Sequence, residues 1–272
     1  KQGIENYWQI SFLILSGIIM LCSIGLFFIP EKNSRDKIKL QKLADQEIIN
    51  KIGTSNNFIK IFAWLYSTVI NPLLSFFKKN TLGVAFSILG FIFLFKIGEA
   101  FLGRMSLVFY KEIGFSKTDI ALYSKGIGWI TTVTFTLLGG LFAVRMGLIK
   151  AMFLSGILMA LTNVMFSVLA WYGNSEFLFA FTVLIDDLAA AFATVAFVGF
   201  ISALVDRNYT ATQYALLASI GTAGRTLFAS SSGMVVDWLN GDWIIFFIIT
   251  ALMVIPSLFC LFLIRKKINL NE

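Results

Sequence analysis

Residues 93–104 read FLFKIGEAFLGR, and they place Lys96, Glu99 and Arg104 inside an apolar run long enough to cross a membrane. A charge at the centre of a spanning helix costs about 2.5–3.5 kcal/mol on the most lenient insertion scale, so three in one segment call for a protein-lined or water-lined interior. Lys96 and Glu99 lie three residues apart and share one helix face, where each offsets part of the other's desolvation. The rest of the chain reads as the wall around these charges.

Composition agrees. The 272 residues are 58% hydrophobic and only 14% charged, with a mean hydropathy of +0.83, which is the profile of an all-α polytopic membrane protein. The net charge of +7 falls mostly in loops and describes contact with membrane lipid, not with nucleic acid. With no histidine, the usual metal ligand and general base are absent, so neither a metal, nor a cofactor, nor an enzyme's catalytic set is expected. Cys22 and Cys260 both sit in apolar runs and read as inert thiols. Lys1 opens the sequence without an initiator Met or a leader pattern, and the chain reads as the later part of a longer one.

Membrane-length runs are expected at 8–29, 81–110, 120–142, 148–171, 177–204, 210–236 and 243–264. Between the first two lies a polar loop at 31–60, carrying seven basic side chains against four acids. At 58–77 apolar residues recur at helical spacing, which fits an amphipathic helix on the membrane surface or a short helix packed on its own bundle. Domain by domain, this gives a spanning helix at 1–30, a central loop at 31–80, a six-helix half at 81–264 and a tail at 265–272. Alternating the spans puts fifteen Lys and Arg on the side of the long loop and three on the other, so the positive-inside rule places the long loop and the C-terminus in the cytoplasm.

At about 1.5 Å per residue, Lys96, Glu99, Lys125, Asp186, Asp187 and Arg225 all fall between the midplane and the outer third of the membrane. Three are cationic and three anionic. The expected pairs are Glu99 with Lys96 or Lys125, and Asp186 or Asp187 with Arg225, each able to break and re-form with a proton or a charged solute. The alternative is a set of static bridges that specify helix packing. Any proton coupling would run through Glu99, Asp186 or Asp187. Small residues at 189–196 and at Gly221, Gly224 and Gly233 read as close helix packing, and Gly139, Gly140, Arg145, Gly147 and Lys150 as a short basic turn.

The stretch 210–225, TATQYALLASIGTAGR, resembles the AmpG-type muropeptide permeases of bacterial inner membranes, a branch of the major facilitator superfamily. Other parts agree in order and spacing: FKIGEAF at 95–101 looks like that family's YKLGDAF, and FYKEIGFSKTDIA at 109–121 is similar to its FYLELGFS segment. Lys125 with Gly126, GGLFAVRMGL at 139–148, TVAFVGF at 194–200, and YWQISFLI at 7–14 followed by IPEK, resemble further family segments. The sequence departs from the pattern at Val108, at 189–193 and near Ser230.

The resemblance implies a major facilitator fold, with residues 8–29 as its sixth helix and the later spans as its C-terminal six-helix half. It implies symport of a proton with anhydromuropeptides, from periplasm to cytoplasm, in peptidoglycan recycling. Carried over by position, it implies roles for Lys96, Glu99, Asp186, Gln213, Tyr214 and Arg225; Lys125 and Asp187 join them as candidate substrate and proton-pathway residues. An N-terminal six-helix half, in the same chain or a separate one, would complete the site. Carriage of another anion such as acetyl-CoA, or a non-transporting remnant or sensor, are the alternative readings.

Overall fold

A computed structural model describes residues 2–26, 28, 66, 70–206 and 210–268, the side chains of 2–8, 26, 125 and 127 excepted. The polar loop 31–60, most of the first half of the expected amphipathic helix, Arg207 and the tail after Ile268 lie outside the described residues. Contacts divide the chain into two units, Lys1–Ser67 and Thr68–Glu272. The first contains α1 (Gln2–Leu26), whose stretch Gln9–Gly25 is a predominantly apolar helix.

The second unit is built from helices alone among its described residues. In order these are α2 (Asn71–Lys79), α3 (Leu82–Leu94), α4 (Ile97–Ile113) and α5 (Lys117–Ile120), then a π-helical turn at Ala121–Ile127, then α6 (Gly128–Met146). There follow α7 (Leu148–Tyr172), α8 (Glu176–Leu204), α9 (Thr210–Ala229), α10 (Ser232–Trp238), α11 (Trp243–Leu252) and α12 (Ile255–Ile264). Among the described residues five segments are long and apolar enough to span a membrane: Leu82–Ile113, Lys117–Met146, Leu148–Tyr172, Glu176–Leu204 and Trp243–Ile264. The α9 helix does not reach that threshold. It carries Gln213 and Arg225 among small residues, and it is held by packing against α3 and α4.

Three expected single helices are interrupted. Within 243–264 the break falls at Met253–Val254, one turn ahead of Pro256, whose missing N–H and bulky ring cannot continue a helix. Within 210–236 it falls at Ser230 and Ser231, whose hydroxyls bond back to the carbonyls of Leu227 and Phe228. Within 81–110 it falls at Phe95–Lys96, where Lys96 has φ −99° and ψ 13°, well away from helical values. The Phe95 N–H still reaches the Phe91 carbonyl at 2.9 Å, and the ladder restarts with the Ala100 N–H on the Lys96 carbonyl at 3.0 Å.

The turn expected around 139–150 is much shorter. Gly139 and Gly140 lie inside α6, which runs on to Met146, and only Gly147, at φ +83°, makes the turn. Gly139 serves packing, since a Cβ there would come within 3.2 Å of Phe192 on α8. The alanines of α8 act alike: Ala189, Ala193 and Ala196 are fully buried where α8 meets its neighbours. As for the described part of the amphipathic segment, α2 packs on α9 and α3, burying Phe76, while Lys78 and Lys79 close it at the surface.

Buried side chains fall into two apolar clusters. One holds Ile88, Phe91, Ile92, Phe95 and Phe200, and the other holds Ile97, Phe109, Phe166, Phe179, Phe246 and Phe247. In the second, Phe109 meets Phe247 edge-to-face at 4.6 Å between ring centroids. Phe95 belongs to the first and Ile97 to the second, so Lys96 stands at the seam between them.

Candidate functional site

Lys96 and Glu99 are brought together by the restart of the helix. Lys96 is the N-cap of α4, and Glu99 lies in its first turn, where unbonded N–H groups favour a negative charge. Lys96 Nζ lies 3.1 Å from Glu99 Oε2 and donates to Glu99 Oε1 at 3.4 Å and to Thr194 Oγ1 of α8 at 2.8 Å. The Thr194 hydroxyl can accept this bond because its own proton goes to the Ala190 carbonyl at 2.7 Å. Glu99 Oε2 is buried and has no hydrogen-bond partner, so the Lys96 ammonium is its counterweight.

The acids of α8 do not pair with Arg225. Asp186 Oδ1 accepts from the Thr162 hydroxyl of α7 at 2.9 Å, and Asp187 Oδ2 accepts from the Thr131 hydroxyl of α6 at 3.1 Å. Adjacent residues on a helix point about 100° apart, so the two carboxylates reach different neighbours. Gly128 makes space for the second: a Cβ there would come within 2.9 Å of Asp187 Oδ2. Asp186 lies within the electrostatic reach of both Glu99 and Asp187. The backbone of Lys125 falls in the π-helical turn that leads into α6, and its side chain lies outside the described residues.

Arg225 faces another cation instead. With Thr222 and Thr226 of α9 it lines one side of a cavity of about 350 Å³, and Ala100, Gly103 and Arg104 of α4 line the other. The spacings 222, 225, 226 and 100, 103, 104 put each set on one helix face, which is why α4 and α9 present them to the same space.

Gln213 and Tyr214 are not part of these groups. They precede Arg225 by twelve and eleven residues, about 16–18 Å along α9. Gln213 is buried with both ends of its amide satisfied: Oε1 accepts from the Asp206 N–H at 2.6 Å and Nε2 donates to the Pro72 carbonyl at 2.8 Å. It ties α2 and the end of α8 to α9. Tyr214, half-buried, packs against the cluster around Phe91.

Sequence reasoning missed the hydroxyls Thr131, Thr162 and Thr194. Apolar helices carry many threonines bonded to their own backbones, as Thr134 and Thr136 are; these three are so bonded as well, and nothing in spacing marks the ones that also reach another side chain. Arg104 was legible as a charge within an apolar run, and the structure leaves it exposed; its place beside Arg225 depends on how α4 and α9 pack.

No protein-family model matches the chain. The chain is 32% identical over 265 residues to the transporter AmpG 4 of Rickettsia conorii, across 97% of this chain and 58% of that protein. It is 25% identical over 263 residues to the anhydromuropeptide permease of Escherichia coli K12, across 96% of this chain and 48% of that protein. To the transporter AmpG 1 of Rickettsia prowazekii it is 29% identical over 232 residues, across 84% and 52%. The chain thus spans about half the length of the curated relatives it matches. These likenesses run through the interrupted helix at Lys96 and the α9 motif alike, and over about half their length the AmpG-type transporters are homologues of this chain.

Proposed function

We propose that this chain forms part of a proton-coupled symporter that imports anhydromuropeptides across the bacterial inner membrane, from periplasm to cytoplasm, with its C-terminus in the cytoplasm. The likeness to the E. coli anhydromuropeptide permease supports the substrate class. The observation that carries the mechanism is the Lys96–Glu99 ion pair at a helix break within an apolar span. Broken helices and intramembrane charges are where transporters of this kind hold substrate and coupling ion.

In this mechanism a proton on Glu99 removes the counter-charge of Lys96. The ammonium is then held by Thr194 alone and is free to meet a substrate carboxylate. Asp186, in the field of Glu99, is the second candidate carrier of the proton, and Lys125 and Asp187 complete the charged lining. Gln213 and Tyr214 act through the packing of α9 on α2 and α3. The substrate site forms against an N-terminal six-helix half, with which these helices rock between outward-open and inward-open states.

The test is uptake of labelled anhydromuropeptide into cells without their own permease, expressing this chain with and without an N-terminal six-helix half. Uptake only with both is expected; none with both, despite confirmed membrane insertion, refutes the reading. Proton coupling is tested separately. Uptake by Glu99→Gln or Asp186→Asn is expected to lose its dependence on external pH, and an unchanged dependence in both counts against the coupling.

A further inference from the structure

The cavity between α4 and α9 holds two guanidinium-bearing side chains and no acid among its lining residues. Among the described residues neither Arg104 nor Arg225 makes a hydrogen bond or an ion pair, and neither does the Thr226 hydroxyl beside them. Arg104, Arg225 and Thr226 are all exposed in this chain; two like charges facing one space repel each other, and an anion placed between them relieves that repulsion. Gly103 borders open space, since a Cβ there would meet no atom within 4 Å. At about 350 Å³ the cavity matches small-molecule sites, which span about 300–1,000 Å³.

Its direction is fixed by helical spacing. Lys96, Ala100 and Gly103 stand at i, i+4 and i+7, so the cavity lies on the same face of α4 as the ion pair, with Arg104 about 12 Å farther along the helix than Lys96.

We propose that Arg104 and Arg225, with Thr226, form a subsite for an oxyanion group, a carboxylate or a phosphate, distinct from the Lys96–Glu99 pair. The guanidiniums grip the oxygens as planar forks, and the Thr226 hydroxyl donates a further bond. The transport reading decides only which solute carries the oxyanion; binding at the subsite requires no transport.

The experiment uses the full chain purified in a maltoside detergent and titrates citrate and inorganic phosphate by calorimetry, with uncharged N-acetylglucosamine as control. The two anions are expected to bind and the neutral sugar not to. Arg104→Gln and Arg225→Gln are each expected to weaken binding about tenfold or more, as loss of a bidentate, charge-assisted contact does. Gly103→Leu, which fills the cavity without changing charge, is expected to do the same. Lys111→Gln, which removes one positive charge at the exposed end of α4, is expected to leave binding unchanged.

Failure of the anions to bind overturns the proposal, as does binding that Arg104→Gln, Arg225→Gln and Gly103→Leu all leave intact in protein of native helix content. Nanodiscs of phosphatidylcholine, with and without phosphatidylglycerol, separate the sources. Competition by the anionic lipid assigns the subsite to a headgroup, and its absence assigns it to a soluble solute. Arginine-dependent citrate binding without muropeptide uptake would overturn the transport reading alone. Uptake together with arginine-independent binding would overturn this one alone.

Discussion

Replacing Lys96 with Met and Glu99 with Gln, singly and together, measures what holds the helix break in place. The charges stand 3.1 Å apart with side chains only 12% and 19% exposed, so solvent screens them little. At an effective dielectric constant near 20 their attraction is about 5 kcal/mol, against which both desolvation costs are set. Removing one partner of such a pair costs about 3–5 kcal/mol, while removing both is close to neutral. The two single changes are not equivalent. Without Lys96, the buried Glu99 Oε2 has no hydrogen bond to fall back on, whereas without the Glu99 charge, Lys96 keeps Thr194 at 2.8 Å. Lys96→Met is therefore expected to cost more than Glu99→Gln, and the double variant less than Lys96→Met alone. Reversible unfolding of the purified chain in mixed micelles, followed by circular dichroism, gives the full cycle. Single effects that add to the double within about 0.5 kcal/mol would refute the coupling, because independent sites behave that way.

Gly224→Ala is expected to destabilise the bundle by about 3 kcal/mol or more, because a Cβ there collides with the Phe93 carbonyl, a backbone group that cannot rotate aside. Gly233→Ala, where the nearest atom would be Met105 Cε at 3.9 Å, is expected to be neutral or slightly stabilising, and thermal unfolding of the two variants side by side checks the contrast. Gln213→Ala leaves the Asp206 N–H and the Pro72 carbonyl without partners, at a cost of about 1–3 kcal/mol for each group that stays buried, measurable as a fall in unfolding midpoint.

How far the sequence reaches is clearest along 93–104. An i, i+3 spacing of opposite charges predicts the Lys96–Glu99 pair, and the pair forms even though the helix that was to carry it is broken at Phe95–Lys96. The pair survives because Lys96 and Glu99 both lie on the far side of the break, in the cap and first turn of α4. The break itself has no proline or paired glycines to announce it. It depends on contacts with other helices: Gly224 of α9 sits on the Phe93 carbonyl, and a Cβ at Gly98 would come within 2.6 Å of the Thr250 carbonyl of α11.

By itself the sequence determined the class of fold, most of the apolar runs and the family likeness, because hydropathy over some twenty residues and a long motif such as 210–225 are local properties of the chain. It also marked which charges fall within apolar runs and so call for a partner or for water, since taking a charge out of water is costly whatever later offsets it. Only the tertiary structure decided who shelters whom. Asp186 and Asp187 go to threonines on two other helices, Gln213 goes to backbone groups of α2 and the α8 end, and Arg225 turns to Arg104. Those choices follow from helix rotation and crossing, which are set by small residues and aromatic rings packing across the chain. No local pattern records how two surfaces far apart in sequence will fit.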